Sequence, residues 1–270
     1  MDSRRGPAEN AEPINDQNLC HLSAERHMKL RTLRRMKLVI PRGLRPAAKG
    51  LFGFWMPTAF KYKEEIEFWE QCWRDENGHF ENDHYEKILL AMAGEPDDGF
   101  LAGKTVADFG CGPRGSLCWI TRARLKIGID VLTEQYAEFD IASHDMVYVK
   151  STERAIPLAS HYVDVLFTLN AMDHVSHFSQ MSAEILRILK PGGLFIGSFN
   201  LDDPPTFSEP QMLTETRVRN ELLRHLDVEC YRVAAKGKTG ARYIHFFDGS
   251  EPPISGSRFL WVRARNPSER

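Results

Sequence analysis

A carboxylate, a glycine-rich turn and a second carboxylate twenty residues beyond that turn are the densest run of potential chemistry in the chain. In Val106-Ala-Asp-Phe-Gly-Cys-Gly-Pro-Arg-Gly115 a short apolar strand ends in the acid Asp108, turns through Gly110, Cys111 and Gly112, and is expected to open a helix. Gly110, Gly112 and Gly115 satisfy the G-x-G-x-x-G spacing. Glycines let the backbone turn tightly and approach a ligand, and a helix that follows points its free N–H groups at that ligand. The spacing suits a nucleotide-containing cofactor of either of two kinds. Asp108 separates them, because a carboxylate there repels a pyrophosphate and attracts an ammonium and a sulfonium. The loop therefore reads as a seat for S-adenosylmethionine rather than for NAD. Asp130 closes the apolar run Lys126-Ile-Gly-Ile-Asp130. An acid at that distance accepts hydrogen bonds from ribose hydroxyls, which both cofactors carry.

Further along, His174 follows an apolar strand in Val163-Asp-Val-Leu-Phe-Thr-Leu-Asn-Ala-Met-Asp-His-Val175. Methyl transfer to a hydroxyl needs a group to take the proton, and a histidine at the carboxyl edge of a sheet is placed to do so. His174 is the expected general base, with two plainer roles open to it: capping the next helix or bonding the loop. Asp173 would orient it or cap that helix. His245 is a weaker second candidate. The stretch Asn200–Pro210 carries Asp202, Asp203, Thr206 and Glu209 between prolines and suits an acceptor wall, or a solvated loop. Cys111 fits the cofactor loop by its small size, and Arg114 is expected to face solvent.

These residues need a scaffold, and the apolar pattern supplies one. Strands are expected at Val106–Asp108, Lys126–Asp130, Met146–Lys150, Val163–Thr168 and Leu194–Phe199, with a helix through Met181, Ile185, Ile188 and Leu189 that stops at Lys190-Pro-Gly-Gly193. Alternation of strand and helix implies a parallel sheet with helices on both faces. Val228–Val233 and Arg258–Val262 read as strands closing the sheet, and Tyr243–Phe247 as an extra strand or part of the acceptor mouth. Thr214 caps a helix expected to reach Leu226. Upstream, Ile66, Trp69 and Trp73 recur at helical spacing, and a second helix spans about Asp83 to Met92. Trp69 and Trp73 would pack on the sheet, or Trp69 or Tyr62 would approach the cofactor.

Taken in order, Val-Ala-Asp-Phe-Gly-Cys-Gly, Ile-Gly-Ile-Asp, Asp-Val-Leu-Phe-Thr-Leu-Asn-Ala-Met-Asp-His-Val and Leu-Lys-Pro-Gly-Gly-Leu-Phe resemble the motifs of the class I S-adenosylmethionine-dependent methyltransferases. The resemblance runs from about Lys104 to Phe199. It implies a Rossmann-like α/β sheet, mostly parallel with an antiparallel last strand, and methyl transfer from S-adenosylmethionine. It places the methionine end on Asp108, Gly110, Cys111 and Gly112, the ribose on Asp130, and Asn170 beneath the methionine and the transferring methyl. Ser151-Thr152 stands where many members have Gly-Asp after strand three. The adenine contact then falls to the Thr152 hydroxyl, to backbone or to Glu153. The expected acceptor is an oxygen on a small molecule or saccharide. An NAD-dependent oxidoreductase leaves Asp108 unexplained and lacks an evident Tyr-x-x-x-Lys pair. A non-catalytic scaffold with a basic N-terminus leaves the intact cofactor loop unexplained.

Composition bounds the rest. The 270 residues suffice for one sizeable domain and an extension, and the 42% hydrophobic share is ordinary for a globular chain. The division expected is a disordered tail over 1–18, a basic, helical extension with cap helices over 19–95, and the methyltransferase domain over 96–270. Residues 1–49 hold eleven Lys/Arg against five Asp/Glu, whereas the whole chain has net charge −2. The segment 26–49 would lie against the domain, on an anionic membrane or on a protein partner. Nucleic-acid binding is not expected, because the remainder is acidic. Five cysteines without a Cys-x-x-Cys pair suggest neither zinc nor a disulfide framework, and point to a reducing cytoplasm.

Overall fold

The computed structural model describes residues 57–206, 208–236, 243–247 and 258–268. The expectations for 1–18 and 26–49 lie outside the described residues. Among the described residues seven strands form one sheet: β1 (Thr105–Phe109), β2 (Leu125–Asp130), β3 (Val147–Lys150), β4 (Val163–Leu169), β5 (Leu189–Leu201), β6 (Asp227–Ala235) and β7 (Arg258–Arg265). Their order is β3-β2-β1-β4-β5-β7-β6. The pairs from β3 to β5 are parallel, and β7 runs antiparallel between β5 and β6. The helices are α1 (Pro57–Asp75), α2 (His84–Ala93), α3 (Phe178–Ile188), α4 (Glu215–Glu221) and the single turn α5 (Ile244–Phe247). Among the described residues no helix is long and apolar enough to cross a membrane.

Successive strand residues point to opposite faces, and both faces are covered. Ala107, Ile127, Ile129, Leu166 and Phe195 meet Met181 and Ile185 of α3 and Val218 of α4 on one side. Val106, Val165, Phe167 and Ile196 meet Leu89 and Met92 of α2, with Trp261, on the other. A third cluster sits off the sheet, where Trp69 and Trp73 of α1 pack with Phe80, Tyr136 and Phe139. The two tryptophans therefore cover the cofactor-loop side and not the sheet.

The structure corrects four expectations about elements. No helix follows the glycine loop; the connection 110–124 runs through turns. Its end is captured by other segments: Asp98 accepts from the Thr121 and Arg122 amides, Lys104 O accepts from Arg124 N, and Lys126 Nζ donates to Ile120 O. Leu117 and Ile120 are fully buried as anchors. Helix α3 ends at Ile188 rather than at the Lys-Pro-Gly-Gly turn, which lies inside β5. The residue before a proline is biased away from helix, and Gly192 at φ +74° absorbs the irregularity where the β4–β5 register shifts. Tyr243–Phe247 makes a helical turn and not a strand. Helix α4 ends at Glu221, with a 3₁₀ turn at Leu223–His225 completing the stretch, and Thr214 caps it by accepting from Arg217 N.

Candidate active site

A cavity of about 1400 Å³ opens at the carboxyl ends of the central strands, beneath α1. Asp108, Gly110, Cys111, Gly112, Asp130, Thr152, Glu153, Asn170 and His174 all line it. Strand β1 delivers Asp108, which is only 3% exposed. The Ser116 hydroxyl donates to its Oδ2, while Oδ1 is buried without a partner. Burial pushes its pKa up to about 7, against the Ser116 hydrogen bond and helped by the nearby Asp130 charge. Asp130, at the end of β2, accepts from Leu132 N at 3.0 Å and Gly112 N at 3.2 Å. Burial still pushes it up to about 6, over the opposing effect of those amides.

The turn between them is shaped by close approach. Gly110 has φ +73°, and a Cβ there would lie 2.1 Å from the Ala171 Cβ. Gly112 has φ +57°, and its Cβ would lie 2.9 Å from the Trp69 ring. Cys111 is buried, and burial drives its thiol well above the ordinary value, so it offers no thiolate. Arg114 does not face solvent. Its guanidinium packs over Phe80 at 4.7 Å and Trp69 at 5.7 Å, and both its terminal nitrogens donate to Glu76. This pairing joins the loop to the end of α1.

At the other end of α1, Glu153 Oε1 accepts from Lys61 Nζ and from Tyr62 OH, each at 2.8 Å, and Oε2 accepts from Ser176 N at 3.0 Å. Burial opposes the charge, but Lys61 and these bonds hold the carboxyl below its usual range. The Thr152 hydroxyl oxygen accepts from the Arg154 and Ala155 amides in its own turn. Both residues border the cavity with their acceptors engaged in holding loops and helix.

Asn170 follows β4 at φ +50°. Its Oδ1 accepts from Ser198 Oγ at 2.8 Å and its Nδ2 donates to Tyr243 OH. His174 stands between two carboxylates: Nδ1 lies 3.5 Å from Glu65 Oε2 and Nε2 lies 3.6 Å from Glu209 Oε1. Glu65 is itself held, because Trp69 Nε1 donates to its Oε1 at 3.0 Å. Neither Asp173 nor His174 caps α3, whose N-cap position is His177 without a side-chain bond. Asp173 accepts from Asn200 Nδ2 at 2.6 Å instead. Of the acids in the post-β5 loop only Glu209 reaches the cavity; Asp202 pairs with Arg258 and Asp203 with Lys236. Sequence reasoning missed Lys61, Glu65 and Tyr85 in the cavity lining, and the buried Ser116 that donates to Asp108. For Glu65 a signal exists, since it lies one helical turn before Trp69 on the same face.

The parallel sheet with its reversal between β1 and β4, the glycine turn and the buried acid define a Rossmann-like nucleotide-cofactor domain of the α/β class. Residues 107–197 match the family model described as a methyltransferase domain. Over 103 residues the chain is 31% identical to an uncharacterized methyltransferase of Mycolicibacterium paratuberculosis, covering 37% of this chain and 40% of that one. Among solved structures, the [4+2]-cyclase SpnF aligns with TM-score 0.54 at 16% identity, over 68% of this chain and 81% of its own. A protein of Galdieria sulphuraria assigned as a sarcosine dimethylglycine methyltransferase aligns with TM-score 0.55 at 13% identity, over 77% and 100%. Over residues 107–197 the chain is thus similar to a methyltransferase domain, in keeping with the resemblance of its motifs to the class I S-adenosylmethionine-dependent methyltransferases. The matches span about two fifths of the length of the curated mycobacterial relatives.

The residues present fit that cofactor. A buried carboxylate oxygen without a partner calls for a hydrogen-bond donor or a cation, and an ammonium and sulfonium supply both kinds of attraction. Gly110 and Gly112 leave the backbone open where a side chain would fill the turn.

Proposed function

We propose that this protein transfers the methyl group of S-adenosylmethionine to a hydroxyl oxygen of a small molecule or saccharide. The observation that carries the reading is Asp108: a buried acid with one unpartnered oxygen beside a glycine turn, in a cavity larger than one small ligand requires. The cofactor supplies an activated methyl on a sulfonium. Asp108 and the Gly110–Gly112 backbone hold its methionine end, Asp130 its ribose, and Asn170 the wall beneath. Thr152 and Glu153 border the adenine side through the loop they brace. Helix α1 covers the site, excluding water and fixing the acceptor in line with the methyl. As the new O–C bond forms and the S–C bond breaks with its electrons going to sulfur, the hydroxyl proton must leave. His174 stands at that end of the cavity, and we place the acceptor oxygen beside it.

The acidic, partly apolar mouth, with Glu65, Glu209 and exposed Phe68, supports an uncharged polyol-like or mixed acceptor more than an anion. An NAD enzyme is disfavoured by Asp108 and by the missing helix behind the loop, which removes the amides a pyrophosphate would meet. The free thiols of Cys72, Cys111, Cys118 and Cys230 suit the reducing cytoplasm we assign to it. Calorimetric titration with S-adenosylmethionine, S-adenosylhomocysteine and NADH tests the reading. Micromolar binding of the first two, weakened by Asp108→Asn, is expected; binding of NADH alone would overturn it.

A further inference from the structure

The acceptor end holds a group of atoms that do not satisfy one another. One ligand atom each from Asp173, His174 and Glu209 lies within 4.8 Å of the other two. Asp173 is 3% exposed; its Oδ2 takes the Asn200 amide, and its Oδ1 is buried without a partner. A neutral imidazole has one N–H and one lone pair. If the N–H of His174 is on Nδ1, facing Glu65, then Nε2 presents its lone pair to the Glu209 carboxylate. Three electron-rich atoms then lie within 4.8 Å of one another. Such an arrangement is costly unless a positive charge sits among them. The outer contacts point the same way, since metal-bound histidines usually donate their other N–H to a carboxylate, and Glu65 occupies that position, steadied by Trp69.

We infer that Asp173, His174 and Glu209 form a divalent-cation site on the acceptor side of the cavity, left open toward the cavity for an oxygen of the acceptor. One imidazole and two carboxylates make a hard-to-borderline set that suits Mn²⁺ or Mg²⁺. Three protein ligands leave coordination positions for water or for acceptor oxygens, as catalytic sites do. The role of His174 is then that of a ligand, in place of the general base expected from the sequence. A hydroxyl held there loses its proton more readily, and the proton passes to solvent water as the O–C bond forms. Only this last step rests on the methyl-transfer reading; the cation site itself does not.

The test uses the full chain, titrated calorimetrically with MnCl₂ and, separately, with S-adenosylhomocysteine, with Mn²⁺ electron paramagnetic resonance as a second readout. One Mn²⁺ per chain is expected, bound about tenfold or more weakly after Asp173→Asn and after Glu209→Gln. S-adenosylhomocysteine should bind Glu209→Gln as it binds the parent chain. Glu209 sits on a half-exposed loop, so its variant carries the test if Asp173→Asn fails to fold. Absence of Mn²⁺ binding at millimolar concentration, or binding that neither variant weakens, would overturn the site. Mn²⁺ binding lost in the variants without any S-adenosylhomocysteine binding would leave the cation site standing and remove the methyl-transfer reading.

Discussion

Asp108 concentrates the residue-scale chemistry. With its pKa raised from 3.8 to about 7, it keeps a proton in the folded, ligand-free protein that the unfolded chain gives up near pH 4. Its contribution therefore makes the fold less stable as pH rises through that window, because the native state is the one that binds the proton. A cationic ligand reverses the balance by favouring the carboxylate. Affinity for S-adenosylmethionine should rise about tenfold between pH 6 and pH 8, and Asp108→Asn should bind weakly with a flat profile. Calorimetry across that range checks both; a parent profile as flat as the variant's would remove Asp108 from the cofactor's charge. Two positions of the turn beside it, Gly110 and Gly112, tolerate no side chain. Gly112→Ala meets both a positive φ and Trp69 at 2.9 Å, and should cost about 1–3 kcal/mol in urea melts. Gly110→Ala, whose Cβ would fall 2.1 Å from that of Ala171, should cost more.

At the scale of elements, α1 is a strap pinned at both ends, by Glu153 holding Lys61 and Tyr62 and by Arg114 holding Glu76. Glu153→Gln removes the charge from a largely buried cluster and should lower stability by about 1.5–3 kcal/mol at neutral pH. The carboxyl's pKa is depressed in the fold, so its contribution is present above about pH 4.5 and fades as pH falls through the lowered value. Urea melts at pH 7 and pH 3.5 should show the penalty shrinking in acid, and an equal penalty at both would exclude the ionic pin. The strands were legible because short apolar runs such as Lys126–Asp130 and Val163–Thr168 end in polar residues that mark a sheet edge. Helices α1 and α2 were legible from their apolar spacing. The missing helix after Gly115 was not, since it depends on Asp98 and Lys104 capturing the backbone of 121–125. The true end of α3 and the turn at Tyr243 depend likewise on sheet register and packing. In the site, Asp108, Asp130 and His174 stood out by residue type and place. Glu65 and Ser116 matter through partners that only folding brings near.

Over the whole molecule, strand order reverses between β1 and β4, so the loops leaving these strands diverge and open the cavity at the switch point. Its described lining runs from Lys61 to Phe247, drawing on both ends of the sheet and on the α1 strap. Binding there ties distant segments together, so ligand must register in global stability. Saturating S-adenosylhomocysteine at a hundred times its dissociation constant should stabilise the fold by about 2.7 kcal/mol. Residues 1–49 carry an excess of six positive charges, in contrast with the acidic remainder. The groups assigned to the cofactor all lie between Asp108 and Asn170, so a chain lacking 1–49 should show the same ligand-induced stabilisation and the same calorimetric affinity as the full chain. We propose that the charge asymmetry serves a separate role, in which only the full chain sediments with anionic lipid vesicles at low salt and loses that association as ionic strength rises. Loss of cofactor affinity on truncation would instead make the basic segment part of the site, and would shift the search for the acceptor to the surface it covers.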